Sequence, residues 1–155
     1  MILGDKMIKE VRDLKTIQKF IIRVYNETIC GEDTIEGRKN FIGKYVEGAK
    51  TKEQFDSGFE KYYGYFDESM LGIISINNEG YIKFLFVDEK CQGLGIGKKL
   101  LDYVTKVAIE NNIDQISLDS SVNGVKFYEK QGFVRVSEAI KIDDIIVVPM
   151  KKNLK

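Results

Sequence analysis

FLFVDEKCQGLGIGKKLL, residues 84–101, is the stretch on which the reading of this chain turns. It opens as an apolar strand, passes an acidic turn, and then places glycine at every second position, Gly93, Gly95 and Gly97. A helical pattern follows at once, with Ile96, Leu100, Val104, Val107 and Ala108 on one face and an end near Asn111 and Asn112. The first N–H groups of a helix have no intrahelical partner, and they point outward with the positive end of the dipole. Such a place binds anions, phosphate above all. Glycine lets the backbone come close, because no Cβ stands in the way. Two phosphate loops are excluded by spacing. A Walker loop needs Gly, four residues, then Gly-Lys-Ser/Thr, but position 92 is Gln and Lys98 is followed by Lys99. The dinucleotide pattern G-x-G-x-x-G started at Gly93 needs glycine where Lys98 stands. The remaining readings are another phosphate ligand, or a loop that only spaces strand from helix.

Outward from this stretch the pattern divides in two. Before it, residues 7–11 read as a short first strand and LKTIQKFIIRVYNETI (14–29) as an amphipathic helix, with Ile17, Phe20, Ile21, Val24 and Tyr25 on one face and Gly31 as its stop. A second helical stretch is expected over about 34–46, weakened by Gly37, Gly43 and Gly48. YYGYF (62–66) and MLGIISI (70–76) form a strand pair turning at Asp67, Glu68 and Ser69. NNEG (77–80) is a turn, and YIKFLFV (81–87) is a nearly continuous apolar strand, covered on both faces. After the long helix come a strand at QISLD (115–119) and a short helix at about 122–130, stopped by Gly132. The closing strands fall at 134–140 and 145–150, with Asp143 and Asp144 at the turn. A strand, helix and strand in that order favour a parallel pair with a right-handed crossover. Pro149, the only proline, suits a strand edge or end.

Bulk properties narrow the function. The chain has 155 residues, one ordinary domain spanning 1–155, and 43% apolar residues, enough to fill a core. Lys plus Arg and Asp plus Glu are 24 each, which argues against a nucleic-acid module. There is no histidine, so Ser-His and Cys-His nucleophile pairs and His-bearing metal sites are excluded. Cys30 and Cys91 have no ligand-like spacing, and no metal is expected. The amino-terminal segment lacks a signal-peptide run, and no stretch approaches the ~18 apolar residues of a membrane span. A soluble cytoplasmic protein is the expectation.

At this point residues 84–101 resemble the acyl-CoA-binding signature of the GNAT superfamily of N-acetyltransferases. That signature is Gln/Arg-x-x-Gly-x-Gly/Ala after a strand ending in valine and an acidic turn. Here it reads Gln92-Gly93-Leu94-Gly95-Ile96-Gly97, and the family's second block appears at the right distance as GVKFYEKQGF, 124–133. The resemblance implies an α/β (α+β) fold, with a mixed, mostly antiparallel central sheet of about six to seven strands, a splayed parallel pair and about four flanking helices. It implies acetyl-CoA as cosubstrate, with pantetheine in the splay against the backbone of Leu85, Phe86 and Val87. The N–H groups around Gln92, Gly93, Leu94, Gly95, Ile96 and Gly97 would hold the pyrophosphate, with Lys98 beside it. Tyr128 matches the family tyrosine that serves the departing thiolate. The family often has Asn seven residues earlier. Here that position is Ser121, with Asn123 nearby, and either is a candidate CoA contact.

The implied reaction is direct attack of a primary amine on the acetyl thioester in a ternary complex. Such an amine has a pKa near ~10.4 and needs a base, while the departing thiolate needs a proton or a strong donor. Glu32, Asp33, Glu36, Glu89 and Asp119 are candidates for the base by type alone. Cys91, near a helix start, reads as a small packing residue rather than a nucleophile. The acceptor pocket is expected from the first helices and GEDTIEGRKN (31–40). The rival function is a non-catalytic acyl-CoA sensor or regulatory module. A homodimer through the closing strands is a further implication of the resemblance.

Overall fold

The computed structural model describes residues 7–155, so expectations about the first six residues lie outside it. Strand β1 (Ile8–Glu10) leads into α1 (Leu14–Thr28), whose start is fixed by the Asp13 carboxylate accepting the N–H groups of Lys15 and Thr16. The expected apolar face of α1 is buried in full: Ile17, Phe20, Ile21, Val24 and Tyr25. The second expected helix is two pieces, α2 (Ile35–Asn40) and a π-helical stretch (Phe41–Val46). The wider turn is closed by Glu47 N–H donating to the Ile42 carbonyl at 2.9 Å. A third helix, α3 (Ala49–Asp56), forms where the sequence reading assigns nothing. Its residues are mostly exposed and polar, so it carries little apolar periodicity to read.

Then come β2 (Glu60–Asp67), β3 (Ser69–Asn77), β4 (Tyr81–Ile82) and β5 (Leu85–Val87). After the glycine loop follow α4 (Ile96–Glu110), β6 (Gln115–Ser120), α5 (Val125–Lys130), β7 (Val134–Arg135), β8 (Ile140–Ile142) and β9 (Ile145–Asn153). Two strands expected as single appear as two each. Residues 81–87 divide into β4 and β5, and 134–140 give only β7 and the start of β8. The hydrogen-bonded orders are β1-β2-β3-β5 and β4-β6-β9-β7, with β8 on β9. All pairs are antiparallel except β4 with β6, the parallel pair expected from the strand-helix-strand order.

The break between β4 and β5 has a local cause. β5 pairs with β3 in register Ile74↔Leu85, and the next pair would be Ser75 with Phe84. Ser75 N–H does donate to the Phe84 carbonyl at 3.0 Å. Phe84 N–H, however, donates to Ser75 Oγ at 3.0 Å. The ladder ends on a side chain that is 0% exposed, and the chain turns away to join β6. A strand that must leave one sheet for another needs such a substitute, because a buried N–H left unpaired is destabilising.

The first sheet is covered on both faces, which is why its strands read as continuous apolar runs. Tyr62, Ile73, Phe84 and Phe86 pack with α1 and the π stretch, while Tyr63, Ile74 and Ile76 pack with α4. Ile73 and Ile74 are each 0% exposed on opposite faces, and each contributes roughly 1.5–3 kcal/mol by burial. Pro149 corrects an expectation, for it lies inside β9 and not at an edge or end. Its carbonyl accepts Val136 N–H at 2.8 Å, but it has no N–H to return. It sits where β9 stops pairing with β7 and, past residues 136–139, pairs with β8. The missing donor therefore falls at the seam.

Candidate active site

The splay between β4 and β5 opens into a cleft of about 850 Å³. One end is built by β5, the glycine loop and the first turn of α4. Gly93 and Gly95 have φ of 84° and 83°, which glycine adopts without strain, and beyond their chain neighbours no atom of the described residues lies within 4 Å of where a Cβ would stand on either. Gly95 caps α4, and the first bond back into the helix is Lys99 N–H to the Gly95 carbonyl at 3.0 Å. The N–H groups of Ile96, Gly97 and Lys98 therefore face the cleft side of a fifteen-residue helix with no intrahelical partner. The loop is anchored at its base. Gln92 Nε2 donates to the Val87 carbonyl at 3.3 Å, and Arg23 of α1 pairs with Asp88 at 3.1 Å. The Lys90 N–H and then the Arg23 guanidinium hold the Asp88 carboxyl below its usual pKa.

The structure brings the expected residues together with one exception. Leu85, Phe86, Val87, Gln92, Gly93, Gly95, Ile96, Gly97, Lys98, Ser121, Asn123 and Tyr128 all line the cleft. Leu94 does not, since its side chain turns to solvent at 68% exposure. Phe86 and Ile96 are core side chains, so only their backbone is available to a ligand. Lys98 Nζ is engaged by Asp102 at 2.8 Å in an exposed i,i+4 pair. Ser121 Oγ accepts the Gly124 N–H at 3.1 Å and thereby caps the turn into α5. Cys91 is half-buried against the core, as a packing residue should be.

Tyr128 comes from α5, with its ring edge-on to Phe127 and Phe133 at centroid distances of 5.1 and 5.6 Å. Its carbonyl, accepting the N–H groups of Gln131 and Phe133, fixes the helix end. Burial pushes its phenol above the ordinary tyrosine value. Packing and exposure to the cleft coexist: the ring is half-buried against the core and the residue lines the cavity.

The other end of the cleft is assembled from distant segments. Tyr25, Ile29 and Phe41 line it, with Tyr25 stacked on Phe41 at 4.3 Å, and so do Ile145, Ile146 and Val147 of β9. Of the candidate bases, Glu32, Asp33 and Asp119 line the cleft, while Glu36 and Glu89 do not. Asp33 receives the Tyr25 hydroxyl, and Asp119 receives the Tyr81 hydroxyl at 2.8 Å. Burial, then Asp119, pushes the Tyr81 phenol upward, so it stays a neutral donor. Beneath the splay, Lys83 Nζ donates to Thr51 Oγ1 at 2.7 Å and lies 3.9 Å from Glu60, whose carboxylate accepts the Tyr62 hydroxyl at 2.7 Å. The sequence reading missed the β9 wall, Tyr25, Phe41 and this buried cluster. Helical periodicity marks Tyr25, and marks it as core; nothing in the sequence pattern singles out Phe41.

Comparison with known proteins agrees with this geometry. The family model described as an acetyltransferase (GNAT) domain matches residues 25–154. A curated relative, glucosamine 6-phosphate N-acetyltransferase of Arabidopsis thaliana, is 27% identical over 121 residues, covering 61% of this chain and 81% of the relative. Among solved structures, a GCN5-related N-acetyltransferase from Rhodopseudomonas palustris superposes with a TM-score of 0.78 at 18% identity, covering 99% of both chains. The PaiA N-acetyltransferase of Thermoplasma acidophilum, solved in complex with coenzyme A, gives 0.70 at 20% identity over 94% of this chain and 98% of its own. The structural likenesses show the fold. The family model covers most of the chain, and the protein belongs to the GNAT family of acetyltransferases. It is an acyltransferase, and an acyl-CoA is the cosubstrate this fold supports. Among the described residues no helix is long and apolar enough to cross a membrane.

Proposed function

We propose that the chain transfers the acetyl group of acetyl-CoA to a primary amine, by direct attack within a ternary complex, with Tyr128 serving the departing CoA thiolate. The observation that carries this reading is the convergence of the free helix-start N–H groups, the unpaired edge of β5 and Tyr128 on one cleft. The N–H groups from Gly93 to Lys98 would hold the pyrophosphate, and the backbone of Leu85, Phe86 and Val87 would pair with pantetheine. Ser121 and Asn123 are contacts on the opposite side of the gap.

The amine nitrogen attacks the thioester carbonyl carbon, the C–S bond breaks, and the electron pair leaves on sulfur. A tyrosine near ~10 gives its proton to a thiolate near ~8.5 uphill by about 2 kcal/mol. Burial raises the Tyr128 phenol and steepens that step. Tyr128 therefore acts first as a hydrogen-bond donor to the developing thiolate. Glu32, Asp33 and Asp119 place carboxylates along the acceptor end, which favours a cationic amine arriving there and supplies bases to strip its proton. The same charges disfavour a phosphorylated acceptor such as that of the Arabidopsis relative, because Lys83, which lines the cleft, is already engaged by Thr51 and Glu60.

Tyr128→Phe is the test. Turnover of an accepted amine should fall about 100-fold or more while CoA affinity stays unchanged. Equal turnover in the variant would remove Tyr128 from the chemistry. A homodimer would use the free edge of β8, where Ile140 and Ile142 are each 40% exposed. Sedimentation velocity of a Lys141→Pro variant against the parent chain reads that edge directly.

A further inference from the structure

The tip of the β8–β9 hairpin lies against the α2–π segment, whose Phe41 lines the cleft. Asp143 and Asp144 make the turn with φ of 51° and 63°. Asn40 Nδ2 donates to the Asp143 carbonyl at 2.8 Å, and Lys44 Nζ to its Oδ2 at 2.9 Å. The Tyr45 hydroxyl donates to the same carboxylate oxygen. Gly37 is buried beneath the turn, and a Cβ there would stand 2.6 Å from the Asp144 carbonyl. The Lys44 pair is weak by itself, since Lys44 is 62% and Asp143 30% exposed. The half-buried bonds from Asn40 and Tyr45 carry the contact. Tyr45 is a neutral donor, its phenol pushed up to about 12 by burial and then by Asp143. Directly after the tip, Ile145, Ile146 and Val147 line the same cleft as Tyr25 and Phe41.

We propose that Asp143 is a positioning residue that clasps this hairpin to the α2–π segment, closing the acceptor end of the cleft and keeping water from the bound thioester. The inference rests on the reading of the cleft as an acetyl-CoA site. A site that positions a thioester for attack by an amine speeds attack by water as well, unless water is kept out. Water oxygen bonds to the carbonyl carbon, the C–S bond breaks, one water proton goes to the thiolate and the other to solvent, and acetate and CoA thiol leave. Closing an active site suppresses such side reactions.

The test compares the intact chain with Asp143→Ala and Gly37→Ala. Alanine is the better helix former, so Gly37→Ala should favour α2 while pushing the hairpin away. CoA affinity, by calorimetry, should stay within about twofold, while amine-independent release of CoA thiol from acetyl-CoA should rise about tenfold in both variants. Backbone amides of residues 140–147 should exchange faster with deuterium in both. Hydrolysis that is unchanged, or that falls, with CoA affinity intact would overturn the clasp, as would unaltered exchange. Asp143→Asn keeps one acceptor oxygen and should show a smaller rise of the same sign, which covers a failure of Asp143→Ala to fold. An intact chain that binds no CoA would refute the acetyl-CoA reading first, and this inference with it.

Discussion

At the glycine-loop end of the cleft, β5, the loop and the first turn of α4 come from one unbroken stretch, residues 85–98. At the hairpin end, the walls come from α1, the π stretch, β6 and β9, and the bonds joining them span about a hundred residues of chain, as from Lys44 to Asp143. The first end works mainly through backbone: N–H groups at a helix start and the free edge of a strand. The second works through side chains, with Tyr25, Phe41, Asp33, Asp119 and Asp143 each held by a partner from elsewhere. A contiguous backbone site is the same whatever acceptor is used. An assembled side-chain site can change with single substitutions, and that is where acceptor choice should reside.

The largest expected effect falls on the joint between the two ends. Lys83→Met leaves the Glu60 carboxylate, 1% exposed, paired with the Tyr62 hydroxyl and no cation among the described residues. Breaking a buried ion pair from one side destabilises by about 3 kcal/mol at the lower end of the usual range. Chemical denaturation reads this, and adding Glu60→Gln should recover part of the loss. Next is Ser75→Ala, which strands the Phe84 N–H at the splay and should lose about 1–3 kcal/mol, again by denaturation. If stability is unchanged, the splay does not depend on that hydroxyl.

Gly95→Val separates the two ends most cleanly. Its φ of 83° strains any side chain, at about 1–3 kcal/mol, although the space beyond it is open. CoA affinity should collapse while the acceptor wall stays intact, seen as unchanged deuterium exchange in residues 140–147. The smallest effect is alkaline. Tyr45, raised to about 12, stays neutral in the fold above the ~10 at which it ionises once unfolded. Its contribution is full below pH ~10 and is lost as pH rises from there toward about 12, so stability should fall across that window. Tyr45→Phe should flatten the fall when thermal unfolding is followed against pH.

The same contrast explains what the sequence could disclose. Helix α1, α4 and the β2–β3 hairpin declare themselves because their periodicity is local, and the glycine loop because its spacing admits few chemistries. That the residues around the glycine loop would share one cleft was legible for that reason; that the Leu94 side chain turns to solvent was not, since alternation of glycines says nothing about which way the intervening side chain points. Gly37 reads from sequence as a flaw in a helix. In the fold it is the gap into which the Asp144 carbonyl fits, a fact that only a contact between remote segments creates. Ser75 sits unremarked inside MLGIISI, yet its hydroxyl ends one sheet and begins the other. The rule for edges places Pro149 at an edge or end, but a seam between two partner strands also tolerates it: one bond to Val136 goes unreturned, and the ladder with β7 stops there.

The central claim is that the glycine loop and splay form a coenzyme A site, and ligand-dependent thermal unfolding of the intact chain tests it most directly. Acetyl-CoA, desulfo-CoA and ATP would each be added in large excess. A ligand at 100 times its dissociation constant stabilises by ~2.7 kcal/mol, about 5–10 °C for a domain of this size. The account predicts such a shift with both CoA compounds and none of comparable size with ATP. A shift with ATP as large as that with acetyl-CoA, or no shift with any of the three, would contradict it.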